Sequence, residues 1–235
     1  MSELGLFPLP LVLVPTERIP LHVFEPRYKE LIGECIEDGS EFGLVLATGD
    51  GAVHEIGTRA AVSQVLEVLP DGRMNVVVEG GDRFRLLELT GGRSFTTGVV
   101  EDVVDDDDPP DNDEAARALE LFRQLAETTG AEVDTPAADS PLFDFELAAR
   151  VDFGVDAKQE LLSLTSPRYD FELAARVDFA VDAKQELLAM TSPRARMQAL
   201  IRLLETAVEA VRLEHTLRER AARNGKVAPL DPDNL

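Results

Sequence analysis

An acidic, proline-containing segment near the middle of the chain divides it into two parts of different character. Residues 105–111 read Asp-Asp-Asp-Asp-Pro-Pro-Asp. Four consecutive carboxylates repel one another, and the two prolines exclude a helix at this point. Before the segment, the sequence has short alternating runs rich in valine, leucine and glycine, whereas after it apolar residues recur at helical spacing. We therefore predict two subdomains, residues 1–104 and 113–225, joined by a solvated acidic linker at residues 105–112.

The first subdomain is predicted to be a rolled β-sheet. Residues 42–47 form a continuous apolar run, which is typical of a buried strand. The turn sequence Pro70-Asp71-Gly72-Arg73 separates two further strand-like segments and predicts a hairpin. The strand-like segments are residues 9–14, 42–47, 60–69, 74–79, 83–89 and 95–104. Several short strands with glycine-rich turns favour a small barrel or rolled sheet.

One helix is predicted within this sheet region. Pro26 suits the first turn of a helix and Gly39 suits its end. The apolar residues between them recur three and four positions apart, which places them on one face. They are Tyr28, Leu31, Ile32, Cys35 and Ile36. We expect Cys35 to be a packed core thiol, because a nucleophilic thiolate needs an electropositive setting and Glu34 and Glu37 lie close to it in sequence.

The second subdomain is predicted to be helical. Asp111 and Glu114 have the spacing of a capping box, which marks the start of a helix. A longer helix is expected to be capped by Ser192, to begin at Pro193 and to run to about Arg223, before Asn224-Gly225, because its apolar residues recur every three or four positions. At about 1.5 Å per residue this helix would be roughly 45 Å long. The tail at residues 226–235 is expected to fray.

Between these two helices the chain contains a tandem duplication with an offset of 26 residues, from Phe145 to Phe171. Residues 144–168 read DFELAARVDFGVDAKQELLSLTSPR, and residues 170–194 read DFELAARVDFAVDAKQELLAMTSPR. Each unit is predicted to form two helices joined by a short turn. Two units are too few for a solenoid, in which neighbouring repeats stack on one another. We expect the extra unit to extend the helical subdomain or to promote self-association.

Composition and charge disfavour several function classes. The 45 acidic and 23 basic residues give a formal net charge of −22, which disfavours binding to nucleic acid and to anionic membranes, because both depend on lysine and arginine. The single cysteine excludes an intrachain disulfide. The start of the chain lacks the basic segment of a secretory signal, and its longest apolar stretch is too short to span a bilayer. We therefore expect a soluble, cytoplasmic protein.

No motif in the sequence assigns a catalytic, cofactor-binding or metal-binding residue. Phosphate-loop, GxSxG and HExxH patterns do not occur. His22, His54 and His215 are scattered without the spacing of metal ligands, and consecutive aspartates point in divergent directions. A triad assembled from distant serine, histidine and aspartate residues stays open. We predict that the chain is not an enzyme and needs no cofactor or metal.

Two separated segments resemble a known family. The first is residues 6–28, which read LFPLPLVLVPTERIPLHVFEPRY. The second comprises Ile56-Gly57-Thr58, Asp71-Gly72-Arg73 and Arg83-Phe84-Arg85, in that order. Both resemble signatures of the N-terminal, substrate-binding domain of Lon proteases, the LON domain, and the resemblance extends over residues 4–223.

The resemblance implies both a fold and a role. The family has an α+β fold, a PUA-like β pseudo-barrel followed by a helical bundle with a long C-terminal helix, which agrees with the prediction from the residues. Val14, Thr16 and the duplicated unit depart from the family pattern. The family domain is non-catalytic and helps Lon to capture unfolded or degron-bearing substrates, and the ATPase and protease domains follow it. Since the chain ends at Leu235, we expect a stand-alone LON-domain protein.

Three functional hypotheses follow. The leading one is a module that binds unfolded or extended polypeptide segments and acts as an adaptor or a regulator of proteolysis. The alternative is a structural or self-assembling protein that forms homo-oligomers through the helical repeat, and a hydrolase with an unrecognised site is the third. Residues 6–15 and 23–28 are apolar enough to contribute to a binding groove, although most are expected to form the core. No contact residue is assigned, and Arg27 is expected to anchor the junction of strand and helix.

Overall fold

The computed structural model describes residues 1–49, 51–130, 134–151 and 181–224, with side chains described as far as Arg212. The strands are β1 (Ser2–Leu9), β2 (Arg18–Val23), β3 (Phe42–Leu46), β4 (Ile56–Val68), β5 (Met74–Thr90) and β6 (Thr97–Asp102). The helices of this part are α1 (Pro26–Asp38), α2 (Asn112–Thr129), α3 (Phe143–Arg150), α4 (residues 181–189) and α5 (Pro193–Asn224). Strands precede most of the helices, so the predicted α+β class is confirmed.

The sheet closes on itself through β5. Its strand order is β2-β5-β4-β3-β1-β6, and β5 also pairs with β6. This double role is possible because β5 has 17 residues: its first part pairs with β2 and β4, and its last part pairs with β6. β1 and β3 run parallel, and the other neighbours are antiparallel. The resulting ring of strands is the predicted pseudo-barrel.

The predicted strand at residues 9–14 is wrong, because pairing occurs earlier, in β1. Pro10 lacks a backbone donor, and the following residues cross the core as an irregular segment in which Val14 is fully buried. The carbonyl of Val14 lies so close to Gly80 that a Cβ at residue 80 would be 2.3 Å from it. Gly80 therefore lets β5 run without a break, although the sequence predicts two separate strands at residues 74–79 and 83–89.

Helix α1 follows its prediction closely. It begins at Pro26 and ends at Gly39, which adopts the left-handed conformation with a φ of 64°. Its predicted apolar face is buried except for Ile36, which is 40% exposed, so the prediction was wrong for that residue. Cys35 is a buried free thiol, as predicted. Burial raises the pKa of this thiol, which makes it a poor nucleophile.

Helices α2 and α5 also begin where the sequence predicts. The Asp111 carboxylate accepts a hydrogen bond from the Glu114 backbone at 2.9 Å, and the Glu114 carboxylate accepts one from the Asp111 backbone at 2.9 Å. Ser192 accepts a hydrogen bond from the backbone N–H of Ala195 at 3.0 Å and so caps α5. Because α5 has 32 residues, its length is about 48 Å.

Side chains of the acidic segment, which the sequence predicts to be a solvated linker, contact residues from both halves of the chain. Asp105 accepts a bidentate pair of hydrogen bonds from Arg196, at 2.8 and 3.0 Å, and a further one from Arg83. Arg196 also donates to Asp144 at 2.5 Å. The guanidinium group of Arg196 lies 4.1 Å from the centre of the Phe145 ring, and that of Arg83 lies 5.2 Å from it. We call these five residues the arginine clasp.

The remaining aspartates of the segment secure the entry into α5. Asp106 accepts a hydrogen bond from the hydroxyl of Thr191 at 2.7 Å, and Asp108 accepts one from that of Ser192 at 2.6 Å. Arg194 completes the junction with an ion pair to Asp108 at 3.3 Å. Two of the four aspartates therefore bind the residues immediately before the long helix, and Asp105 belongs to the clasp. These attractive contacts offset the mutual repulsion of the carboxylates.

Four of the five clasp residues are almost completely removed from water, whereas the side chain of Asp105 is 28% exposed. Arg196 is 1% exposed, and Arg83 and Asp144 are each 4% exposed. Burial opposes ionisation of Asp105, but its hydrogen bonds and charge attraction to Arg196 and Arg83 outweigh this effect and lower the pKa of Asp105. For the more deeply buried Asp144, burial outweighs the attraction of Arg196 and raises its pKa.

Strands and helices share one apolar core across the predicted boundary. Val12, Val14, Leu46 and Ile56 of the strand region pack in the same cluster as the inward residues of α2, α3, α4 and α5. Two polar contacts reinforce this packing. Lys184 of α4 donates to buried Glu17 at 2.6 Å, and Gln185 donates to the Ile56 carbonyl at 3.1 Å.

The described residues contain the first part of one repeat unit and the last part of the other. Helix α3 and Val151 come from the first unit, and α4 with the start of α5 comes from the second. Together they supply nearly one complete unit. The second helix predicted in the first unit and the first helix predicted in the second unit lie outside the described residues, as do the predicted tail and the side chain of His215.

We predict that a chain lacking residues 152–177 folds to the same structure. Its Val151 would be followed by Asp178, which restores a single uninterrupted unit because residue 152 is also aspartate. The contacts of the clasp and of α4 given above all join residues that the deletion keeps. Circular dichroism should therefore give an unchanged fold, and urea unfolding should give a free energy within about 1 kcal/mol of the parent. A collapse of cooperativity would contradict this prediction.

We predict that Asp105→Asn destabilises the fold by about 3 kcal/mol at pH 7, because it removes one partner from a buried ion-pair network. The folded-state pKa of Asp105 is lowered, so its contribution is present above the unfolded-state pKa of about 4 and is lost as the pH falls through the folded-state value. Urea titrations from pH 7 to pH 2 should show the difference from the parent shrinking below about pH 4. Exposed Asp107, replaced by asparagine, is the matched control and should cost less than about 0.5 kcal/mol.

Candidate polypeptide-binding surface

The outer half of β4 has a free backbone edge. Residues 58–60 pair with β3 on one side and lie against β5 on the other, whereas residues 61–68 pair with β5 alone. Within the described residues no strand pairs with the second side of this outer half. Every residue from Ser63 to Val68 is exposed. We call residues 61–68 the open edge.

Apolar side chains are concentrated on the open edge. Val65 is 41% exposed, Leu66 is 50% exposed and Val68 is 62% exposed. The cross-strand partners of Val65 and Val68 are Val76 and Met74, which are both buried. Directly paired residues share a face of the sheet. Val65 and Val68 therefore lie on the same face as the buried residues of β5, but beyond the edge of the core.

The open edge carries features that hinder pairing with an identical edge. The pairing of β4 with β5 is irregular between Val62 and Gln64 and between Val65 and Glu67, and such bulges increase local twist. Glu67 places a carboxylate among the apolar residues and accepts a hydrogen bond from Asn75 at 3.2 Å. Twist and charge at an edge strand both reduce edge-to-edge aggregation.

Phe24 adds a large exposed ring near this surface. It follows β2 directly and is 59% exposed. Its ring stacks on that of His22, with the ring centres 6.0 Å apart. Val23 of β2 and Val68 of the open edge both pair with Met74 of β5, so Phe24 follows a strand that lies two strand spacings, about 10 Å, from the open edge.

Most residues of the segments predicted to contribute to a groove lie in the core. Leu6 and Val14 are fully buried, and Val23 is 1% exposed, so Phe24 is the large exposed exception. Arg27 donates to Glu25 at 2.9 Å and lies 4.6 Å from the centre of the Tyr28 ring. These contacts place Arg27 at the junction of β2 and α1, as the sequence predicts.

The hydrolase hypothesis requires a cluster of catalytic or metal-binding side chains. In the part of the chain that it describes, no group of histidine, cysteine, aspartate and glutamate residues could hold a metal ion. An open depression of about 500 Å³ lies between the start of β4 and α4, and its lining residues are His54, Glu55, Ile56, Asp182, Gln185, Glu186 and Ala189. This lining contains no serine or cysteine that could act as a nucleophile. His22 lies elsewhere, with its Nδ1 2.7 Å from Oδ1 of Asn75.

None of the helices in the described residues combines the length and the hydropathy that crossing a bilayer requires.

Comparison with known proteins agrees with this architecture. The family described as the ATP-dependent protease La (LON) substrate-binding domain matches residues 3–206. The Lon protease of Flavobacterium johnsoniae is 25% identical over 172 residues, which make up 65% of this chain and 21% of that protein. The Lon protease of Parabacteroides distasonis is 30% identical over 115 residues, which make up 46% of this chain and 14% of that protein. The matched region therefore spans about a fifth or less of these relatives.

Two solved structures share the fold. The crystal structure of a Lon N-terminal domain protein from Xanthomonas campestris aligns with a TM-score of 0.58 and 25% identity, covering 86% of this chain and 98% of that chain. The N-terminal domain of the Mycobacterium avium complex Lon protease aligns with a TM-score of 0.52 and 15% identity, covering 87% and 98%, which supports the fold alone. With a family match over most of its length, the chain belongs to the LON substrate-binding domain family.

Proposed function

We propose that the chain is a non-catalytic module that binds unfolded or extended segments of other polypeptides along the open edge. The observation that carries this proposal is the open edge itself, in which exposed apolar side chains stand on a strand with one unpaired side. An extended peptide can add to such a strand, so that backbone hydrogen bonds supply affinity and alternate side chains supply selectivity. The description of the family as substrate-binding supports the same role.

The surface suits weak and reversible binding. A strand of eight residues spans about 26 Å, which is enough for a short extended segment. Val65, Leu66 and Val68 are partly covered already, so the apolar area that they can still bury is modest. After the cost of ordering the bound segment, we expect dissociation constants in the range of about 1–100 μM. Affinity of this order allows capture and release of many different segments.

A role as an adaptor or regulator of proteolysis is part of this proposal, as is a cytoplasmic location. The relatives that match are named Lon proteases, and the matching structures are N-terminal domains. A module that holds extended segments without cutting them would deliver clients to a protease or withhold them from it. The single buried cysteine is compatible with a reducing compartment.

Self-assembly is the alternative function, and the open edge is the feature that favours it. An unpaired strand edge is a general template for pairing with another copy. The bulges of β4 and the net charge of −22 both oppose this association. Sedimentation at about 100 μM protein distinguishes the two functions, because polypeptide binding needs no oligomer and self-assembly requires one.

We predict that replacing the apolar residues of the open edge weakens peptide binding about tenfold. The variant combines Val65→Thr, Leu66→Gln and Val68→Thr, which preserve charge and approximate shape while removing apolar contact. The probe is a fluorescein-labelled ten-residue peptide of alternating valine and threonine with a lysine at each end, and anisotropy gives its affinity. The matched control combines Leu87→Gln and Leu89→Gln, because these residues are 45% and 54% exposed elsewhere on β5.

The same assay tests the strand-pairing mode directly. A peptide that is N-methylated at alternate residues keeps its side chains and loses backbone donors, so it should bind at least tenfold more weakly. Both protein variants should unfold within about 1 kcal/mol of the parent, since the altered side chains are exposed. Equal loss of binding in the control variant, or full binding of the methylated peptide, would rule out the open edge as the strand-pairing site.

A further inference from the structure

The depression between the start of β4 and α4 carries an excess of negative charge. Its volume is about 500 Å³, and three of its lining residues are carboxylates, namely Glu55 just before β4 and Asp182 and Glu186 on α4. All three residues are exposed. Among the described residues that line the depression, none is an arginine or a lysine. We call this depression the acidic pocket.

The carboxylates of the acidic pocket are not neutralised by neighbouring cations. Asp182 and Glu186 are four residues apart and share one face of α4, where like charges destabilise a helix. Lys184, the basic residue between them in sequence, instead forms an ion pair with Glu17 at 2.6 Å. In the part of the chain that the structure describes, no basic side chain forms an ion pair with any of the three pocket carboxylates. A bound cation would therefore relieve their mutual repulsion.

A buried amide lines the same pocket and has an unused acceptor. Gln185 is 7% exposed, and its Nε2 donates to the Ile56 carbonyl at 3.1 Å. Because Ile56 also lines the pocket, this hydrogen bond holds the amide in the pocket wall. Oε1 of Gln185 has no hydrogen-bond partner among the described residues. An unmet buried acceptor is costly, so a hydrogen-bond donor supplied by a ligand would relieve this cost.

The arrangement of these groups favours an organic cation over a metal ion. His54 lines the pocket together with the three carboxylates. Even so, the described residues include no group of histidine, cysteine, aspartate and glutamate that could hold a metal ion. A single cation that contacts several of the carboxylates must therefore be larger than a metal ion and must carry several donors.

We propose that the acidic pocket binds a guanidinium group. A guanidinium is planar and permanently charged, and its five N–H donors can pair with carboxylates two at a time. It is less strongly hydrated than an ammonium group and stacks on aromatic rings, and His54 supplies a ring in the pocket lining. The volume of about 500 Å³ lies within the range of pockets that hold small organic ligands.

The guanidinium group can belong to a small molecule or to an arginine residue of a polypeptide, because the chemistry is the same. The acidic pocket lies at the start of β4, whereas the open edge is the other end of this strand. The proposal therefore does not depend on polypeptide binding at the open edge. Since the three carboxylates are exposed, water weakens their ion pairs, and we expect dissociation constants of about 0.1–1 mM.

An NMR titration of the full chain tests the proposal. Acetyl-arginine-amide is added to ¹⁵N-labelled protein in about 150 mM NaCl, which screens non-specific attraction to the net charge, and the backbone amide signals of α4 report binding. The pocket variant combines Glu55→Gln, Asp182→Asn and Glu186→Gln, and it should bind at least about tenfold more weakly because the three charges are removed. If this variant does not fold, Glu186→Gln alone should still weaken binding about threefold.

The matched control removes three exposed carboxylates outside the pocket. It combines Glu88→Gln, Glu127→Gln and Asp139→Asn. Because it has the same net charge as the pocket variant, it should bind the probe within about twofold of the parent. The open-edge variant should also bind the probe as the parent does, so the outcome is separate from that of the polypeptide-binding proposal.

Two further probes identify the ligand chemistry and its source. Acetyl-lysine-amide carries the same charge on an ammonium group and should bind at least about threefold more weakly. The peptide acetyl-Gly-Ala-Arg-Ala-Gly-amide should bind more tightly than acetyl-arginine-amide if the natural ligand is a polypeptide, and no more tightly if it is a small molecule. The proposal is overturned if the parent does not bind the arginine probe at about 10 mM, if the pocket and control variants bind it equally, or if the lysine probe binds as well.

Discussion

Arg196 carries a permanent charge at a position that is 1% exposed, and the rest of the helical half depends on how that charge is compensated. Its guanidinium binds Asp105 from the acidic segment and Asp144 from α3, and it packs on the Phe145 ring. Arg83 of β5 joins the same cluster and donates to the carbonyls of Leu188 and Met190 at the end of α4. One buried cluster thus ties together the sheet, the acidic segment and three helices. Losing a single partner would leave a buried charge uncompensated, which is strongly destabilising.

β5 links this anchor to the candidate binding surface. Arg83 lies in the part of β5 that faces the helices, near the end that pairs with β6, whereas the first part of the same strand forms the hairpin with the open edge. The first part of β5 is paired with β2 on one side and with the open edge on the other. The open edge therefore extends from a fixed support, and its exposed valines continue a core that is already packed. A pre-formed edge lowers the entropic cost of adding a peptide strand.

Local signals in the sequence predicted the elements that local chemistry determines. Pro26 and Gly39 bounded α1, and the Asp111–Glu114 capping box began α2, because caps act over three or four residues. The contacts of the acidic segment could not be predicted, for the opposite reason. The partners of Asp105 are Arg83 and Arg196, which are 22 and 91 residues away in sequence. No pattern within the segment indicates these partners. The open edge could not be predicted from the sequence either. The pattern of β4 indicates a strand, but it does not indicate that the pairing with β3 ends at residue 60.

The clasp also explains how the fold accommodates a duplicated unit. The entry to α5 is fixed by Asp106 and Asp108, which bind Thr191 and Ser192, and α4 is fixed by Lys184 and Gln185. Both attachments lie in the last part of the second unit, whereas the α3 anchors Asp144 and Phe145 lie in the first part of the first unit. Additional chain can therefore enter between two attachment points without breaking either. Because the loop-closure cost rises slowly with length, an insertion at this place costs little, whereas the same insertion within α5 or the acidic segment would separate Arg196 from its carboxylates.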